Sequence, residues 1–96
     1  MNTKLNTTST KIEALEIETL NAIYNGQKEK VKQLFTKVEH LFTKGSNQTR
    51  SLIANKFIFP LTQLLEMNYS WGREYLNLMP NLMKAEYCRQ IYSSGI

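Results

Sequence analysis

A chain of 96 residues can bury one core but not a second domain with its own cleft, and at 42% hydrophobic and 21% charged it is too apolar to be disordered over most of its length. Its net charge of +4 is uneven: two Lys face three Glu over residues 1–26, six Lys and one Arg face three Glu over 27–66, and three basic residues face two Glu over 67–96. There is no Asp and a single His, which leaves little for the Asp-dependent chemistry of EF-hand loops, Mg²⁺ sites and phosphoryl transfer; neither metal nor cofactor is expected.

Residues 1–9, MNTKLNTTS, carry too little apolar surface to offset the entropy of ordering them, so a disordered tail is expected there and a single helical domain over 10–96. Thr10 followed by Glu13 fits a capping box, which predicts a first helix from Thr10 to about Tyr24 with Asn25-Gly26 as a left-handed stop. Ile12, Leu15, Ile17, Leu20 and Ile23 spread round most of its circumference. Such a helix suits more than one neighbour, another chain included.

The second helix, from about Gln27 to Lys44, has the cleanest pattern. Val31, Leu34, Phe35, Val38, Leu41 and Phe42 fall within roughly 120° of one face at about 100° per residue. Lys30, Lys37, His40 and Lys44 form an outer ridge, read as a solvated face. Gly45 ends the helix, and Ser46 or Asn47 caps a third, whose Ile53, Ala54, Phe57, Ile58, Leu61, Leu64 and Leu65 share one arc of roughly 140°. That arc survives across Pro60, which predicts one helix kinked at the proline rather than two, with Leu52 and Phe59 on a separate face. Ser70 is a candidate cap for a short fourth helix carrying Trp71, Tyr75, Leu78 and Met79. A last helix, from about Asn81 to Tyr92, turns Met83, Tyr87, Cys88, Ile91 and Tyr92 inward. No segment alternates as a strand does. The fold class is all-α: four to five helices built on an antiparallel helical hairpin of residues 27–44 and 47–66.

Between Lys56 and Glu66 lie nine uncharged residues, FIFPLTQLL, well short of the roughly 20 that cross a bilayer. The stretch MNTKLNTTSTKIEALE lacks the apolar core of a secretory signal. A cytoplasmic protein without a membrane partner is expected, and the lone Cys88 agrees with a reducing compartment. Abundant Asn and Lys point to AT-rich coding and a bacterial source.

Catalysis finds few candidates. Cys88 with His40 is the one available nucleophile and base, but they sit on separate helices, and Cys88 is read as a buried structural thiol. Glu13 with Glu16, and Glu74 with Glu86, are read as surface carboxylates rather than a glycosidase pair. Gly26, Gly45, Gly72 and Gly95 are isolated, so there is no phosphate loop. No enzyme is expected.

A protein-interaction module fits better. Tyr69, Trp71, Arg73, Arg89 and Tyr92 crowd the last third, and these residue types are enriched at interface hot spots. They are the candidate partner-binding residues, and a homo-oligomer through the first helix is a further arrangement. The alternative is a small basic helical regulator that binds nucleic acid. The third helix begins NQTRSLIANK and offers Gln48, Arg50 and Lys56; a merger of Arg50, Lys56 and the Lys ridge into one face would favour this alternative.

From VKQLFTKVEHLFTKG through LIANKFIFPLTQLL to LNLMPNLMKAEY, with Leu78, Pro80 and Tyr87, the chain resembles a group of small, uncharacterised bacterial helical domains. Some of these look like immunity or accessory proteins of polymorphic-toxin systems. The second and third helices, joined by a short Gly-containing turn, also resemble a single HEAT-like repeat. The resemblance covers residues 31–88 and rests on hydrophobic pattern. It implies a non-enzymatic helical module that binds a toxin or regulatory partner, and it carries over no functional residue.

Overall fold

The left-handed stop at Gly26 forms, with φ 69°, in a computed structural model that describes residues 3–94 and side chains from 8 to 91. The Gly26 amide donates to the Ile23 carbonyl at 3.0 Å and the Gln27 amide to the Ala22 carbonyl at 2.9 Å, the paired bonds that close a helix at a left-handed glycine. The helix so ended, α1, spans Thr3–Tyr24. Its start corrects the expectation: Thr10 lies inside the helix rather than at its cap, and residues 3–9, expected as a tail, continue it. Ile12, Leu15, Thr19, Ala22 and Ile23 form one buried stripe, while Ile17 faces outward, 58% exposed. Thr19 fits the stripe because its hydroxyl donates to the Leu15 carbonyl at 2.7 Å.

Helix α2, Lys28–Lys44, buries Val31, Leu34, Phe35, Val38 and Phe42 as the spacing requires, with Leu41 at the exposed margin. Gly45 follows at φ −79°, which is not left-handed. Glycine is needed there for space, since a Cβ would lie 2.7 Å from the Leu41 carbonyl oxygen and 2.8 Å from Thr49 Cγ2. Ser46 then caps α3, its Oγ accepting from the Thr49 amide at 3.2 Å.

One helix crosses Pro60. Helix α3 is continuous through Asn47–Ile53, a π-helical turn Ala54–Ile58, and Phe59–Met67. A proline at 60 has no amide for the Lys56 carbonyl and crowds it. The chain answers by widening the preceding turn, in which the Phe59 amide reaches the Ala54 carbonyl five residues back. Ile53, Ala54, Phe57, Ile58, Leu61 and Leu65 are buried and Phe59 lies outside that core, as their spacing predicts. Leu64, expected in the arc, is only half-buried, and Leu52, expected on a separate face, is half-buried and packs against the core.

Only Asn68 separates α3 from α4, Tyr69–Leu78. Helix α4 therefore leaves α3 by a tight corner, close enough that a Cβ on Gly72 would sit 2.2 Å from the Leu65 carbonyl oxygen. The buried face is Gly72, Tyr75 and Leu76, followed by Met79. This rotates the expected face. Trp71 is 37% exposed against the Tyr24 ring, with centroids 6.1 Å apart, and Ser70 is inside the helix rather than its cap.

Helix α5, Asn81–Ser94, follows Pro80, which offers no capping oxygen. Glu39 of α2 supplies one: its carboxylate accepts from the Leu82 amide at 3.2 Å and the Met83 amide at 3.0 Å. Met83 is fully buried and Tyr87 half-buried, but Cys88 and Ile91 are exposed, correcting their expected inward placement. The inner position is taken instead by Gln90, whose amide nitrogen donates to the Ala54 carbonyl at 3.0 Å and so supports the π turn. Among the described residues the fold is all-α, five helices without a strand. Helices α2 and α3 form the expected hairpin, α1 packs on both, and α4 and α5 close the other side.

Candidate partner-binding groove

The tight α3–α4 turn and the return of α5 leave a hollow of about 590 Å³ between α4, α5 and the end of α3. One wall is the α4 stripe of Tyr69, Arg73 and Asn77, spaced i, i+4, i+8; the other is Lys84, Tyr87 and Cys88 of α5. Leu76 lies between them. Glu66 closes one end by accepting a hydrogen bond from the Tyr87 hydroxyl. Beyond that link lies a second hollow of about 200 Å³, which Glu66 and Tyr87 also line together with Phe59, Gln63 and Ile91. Phe59 and Ile91 are each 43% exposed there. The two hollows adjoin at Glu66 and Tyr87 as the two chambers of a groove, a basic one with Arg73 and Lys84 and a second in which Phe59 and Ile91 share the lining with Thr62, Gln63 and Gln90.

The charges differ in how they are engaged. Among the described residues Arg73 and Lys84 form no ion pair, as is also true of Lys37, Lys44 and Arg50, whereas Lys28 pairs with Glu74 at 2.8 Å, Lys30 with Glu18 at 3.9 Å and Lys56 with Glu13 at 3.5 Å. Arg89 is held by Glu86 through two hydrogen bonds, one of them at 3.0 Å. The Arg89 hydrogen bond holds the Glu86 carboxyl below its usual range against partial burial. In the same way the Lys28 hydrogen bond lowers the Glu74 carboxyl.

Of the five residues singled out for a partner, Tyr69 and Arg73 meet in the groove. Trp71 lies apart with Tyr24, Arg89 is engaged by Glu86, and the Tyr92 side chain lies outside the described residues. Whereas spacing sets Phe59 on a face apart from the core, Asn77, Lys84 and Cys88 are groove residues that the sequence reading does not assign to a partner. Their signal is a stripe on each of two helices, which means little until the helices are known to face each other. Gln48 and Lys56 line a shallow hollow on α3 together with Leu52. Arg50 is not in it; its guanidinium sits 4.9 Å from the centre of the Phe42 ring. Lys44 and His40 line a further hollow with Lys11 of α1. Of the expected α2 ridge, Lys30 at its start pairs with Glu18, while Lys37 and Lys44 form no ion pair among the described residues; Lys56 of α3 is engaged by Glu13.

Cys88 and His40 line different hollows, so the nucleophile and base are not brought together. Glu74 and Glu86 each belong to a separate ion pair. Among the described residues Glu16 is the one carboxyl raised above its usual value, first by burial and then by the nearby Glu13. Among the described residues no three His, Cys, Asp or Glu side chains are grouped to hold a metal ion, and no helix is long and apolar enough to cross a membrane.

The family model described as Domain of unknown function (DUF7674) matches residues 4–93, and the chain belongs to that family. No curated protein and no solved structure matches it.

Proposed function

We propose that this member of the DUF7674 family is a non-enzymatic helical interaction module that engages a protein partner through the groove of α3, α4 and α5. The observation that carries this reading is the makeup of the groove. Two tyrosines, two cations without carboxylate partners among the described residues, and two exposed apolar side chains converge on one concave surface. Aromatic residues and arginine over an apolar floor are the composition of interface centres. The resemblance to immunity or accessory proteins of polymorphic-toxin systems suggests the partner class, a toxin or regulatory protein in a bacterial cytoplasm, and the α2–α3 hairpin has the outline of a HEAT-like repeat. A second copy of the chain is a further partner, for which the exposed Ile17 on α1 speaks. The nucleic-acid alternative on Gln48, Arg50 and Lys56 draws less support, because Arg50 points to Phe42 and Lys56 is neutralised by Glu13.

Affinity capture with the intact chain, with Tyr69→Ala and with Arg73→Ala tests the reading. A protein retained by the intact chain and lost by both variants is the expected result; capture unchanged in both would overturn it. A gel shift with bulk DNA across a salt series tests the alternative, since phosphate contacts weaken steeply with salt.

A further inference from the structure

We propose that the groove takes an acidic segment of a protein partner, with carboxylates in the basic chamber and a neighbouring aromatic or bulky apolar side chain in the second. This rests on the interaction-module reading and adds the chemistry of the occupant. Charge complementarity carries it. Arg73 and Lys84 stand on opposite walls, one from α4 and one from α5, and neither forms an ion pair among the described residues. Lys28 holds the Glu74 carboxyl, to which the Arg73 charge adds only a minor lowering. Glu66, the carboxylate that lines this chamber, is turned to the Tyr87 hydroxyl at the boundary. A carboxylate entering between the walls gains both cations, and the guanidinium can grip it through two parallel hydrogen bonds.

Exposed ion pairs alone bind weakly because water and salt screen them. The second chamber supplies what charge lacks, for Phe59 and Ile91 offer apolar surface within the same groove. The basic hollow of Lys11, His40 and Lys44 is the nearest rival. Leu41 and Ile12 are the apolar members of its lining, and no Phe, Tyr or Trp joins them. The order of the two chambers along the groove therefore specifies the motif: acidic residues beside an aromatic one, in an extended or helical segment. The net charge of +4 favours approach of such a segment over a basic one.

The probe is a labelled synthetic peptide of alternating Glu and Phe, with a Lys and Phe peptide of equal length as control. Anisotropy at low salt measures binding. Modification by the neutral reagent N-ethylmaleimide reports occupancy, because Cys88 is the chain's single cysteine and lines the basic chamber. The Glu peptide should bind and slow Cys88 modification at least threefold, and the Lys peptide should do neither. Arg73→Glu and Lys84→Glu should each weaken binding about tenfold, while Lys37→Glu and Lys44→Glu, which change the net charge equally elsewhere, should alter it less than twofold. Helical circular dichroism checks that all four variants fold. Equal losses in all four, binding without protection of Cys88, or no binding at low salt would overturn the proposal, as would stronger protection by a single-stranded DNA oligomer. If the peptide fails while Tyr69→Ala still abolishes partner capture, the acidic chemistry is wrong and the groove reading stands; if capture is also unchanged, both are wrong.

Discussion

Gly72 lets the first turns of α4 lie against the α3 backbone at Leu65. Its missing Cβ would overlap the Leu65 carbonyl oxygen at 2.2 Å, and backbone cannot step aside as a side chain can. Gly72→Ala should therefore cost about 2–3 kcal/mol, read as a lower urea midpoint with the same slope. Gly26→Ala should cost only about 1 kcal/mol, the penalty of a left-handed alanine, since nothing lies within 4 Å of the added methyl. Glu16 gives a pH signature. Burial and Glu13 raise its carboxyl above 4.5 in the folded chain, so its contribution to stability is present below that pH and lost as pH rises through the raised value. Glu16→Gln should melt higher than the wild type at neutral pH, and the two should converge below about pH 4. Such residues are poorly legible in sequence. A helix containing Trp71 invites a core face centred on the large ring, yet packing turns on the glycine beside it, and periodicity counts apolar area rather than its absence. Cys88 is misread for a related reason: it shares an arc with Met83 and Tyr87, but Gln90 takes the inward place by hydrogen bonding to Ala54. N-ethylmaleimide should accordingly modify Cys88 in the native chain nearly as fast as in urea; strong native protection would contradict its exposure.

At the scale of elements, α5 depends on α2 for its start. The Glu39 carboxylate meets the Leu82 and Met83 amides at 3.2 and 3.0 Å, where a negative charge also suits the helix dipole. Glu39→Ala should cost about 1–2 kcal/mol. Amide exchange should quicken in the first turns of α5 and leave α1 unchanged; uniform quickening would contradict a local cap. No local sequence rule finds this contact, because its partners lie 43 and 44 positions apart. Helix α2, in contrast, is legible almost residue by residue, since its apolar spacing is uninterrupted and one face meets one core. Helix α3 is legible in its buried arc and in its passage across Pro60. Its π turn is not, because it compensates for a missing amide through a bond that a 3.6-residue period does not describe. The early start of α1 is missed for want of apolar signal: Thr and Asn dominate residues 1–9, and Thr10 offers a plausible cap that the chain does not use.

At the scale of the molecule, charge arrangement separates the readings of function. The acidic first segment neutralises part of the basic middle, with Glu13 on Lys56 and Glu18 on Lys30. Each exposed pair contributes little to stability, but together they engage Lys30 and Lys56, two of the cations that a nucleic-acid face would need. The surface we propose for recognition is the groove of α3, α4 and α5, whose two walls are separate stripes in the sequence and are brought to face each other only by the fold. Site-directed photocross-linking in the native cells tests this most directly. With Tyr69 replaced by p-benzoylphenylalanine, irradiation should join the chain to a second polypeptide, and the same probe in place of the exposed His40 should not. An adduct from position 40 alone, equal adducts from both positions, or none from position 69 would contradict the groove as the contact surface.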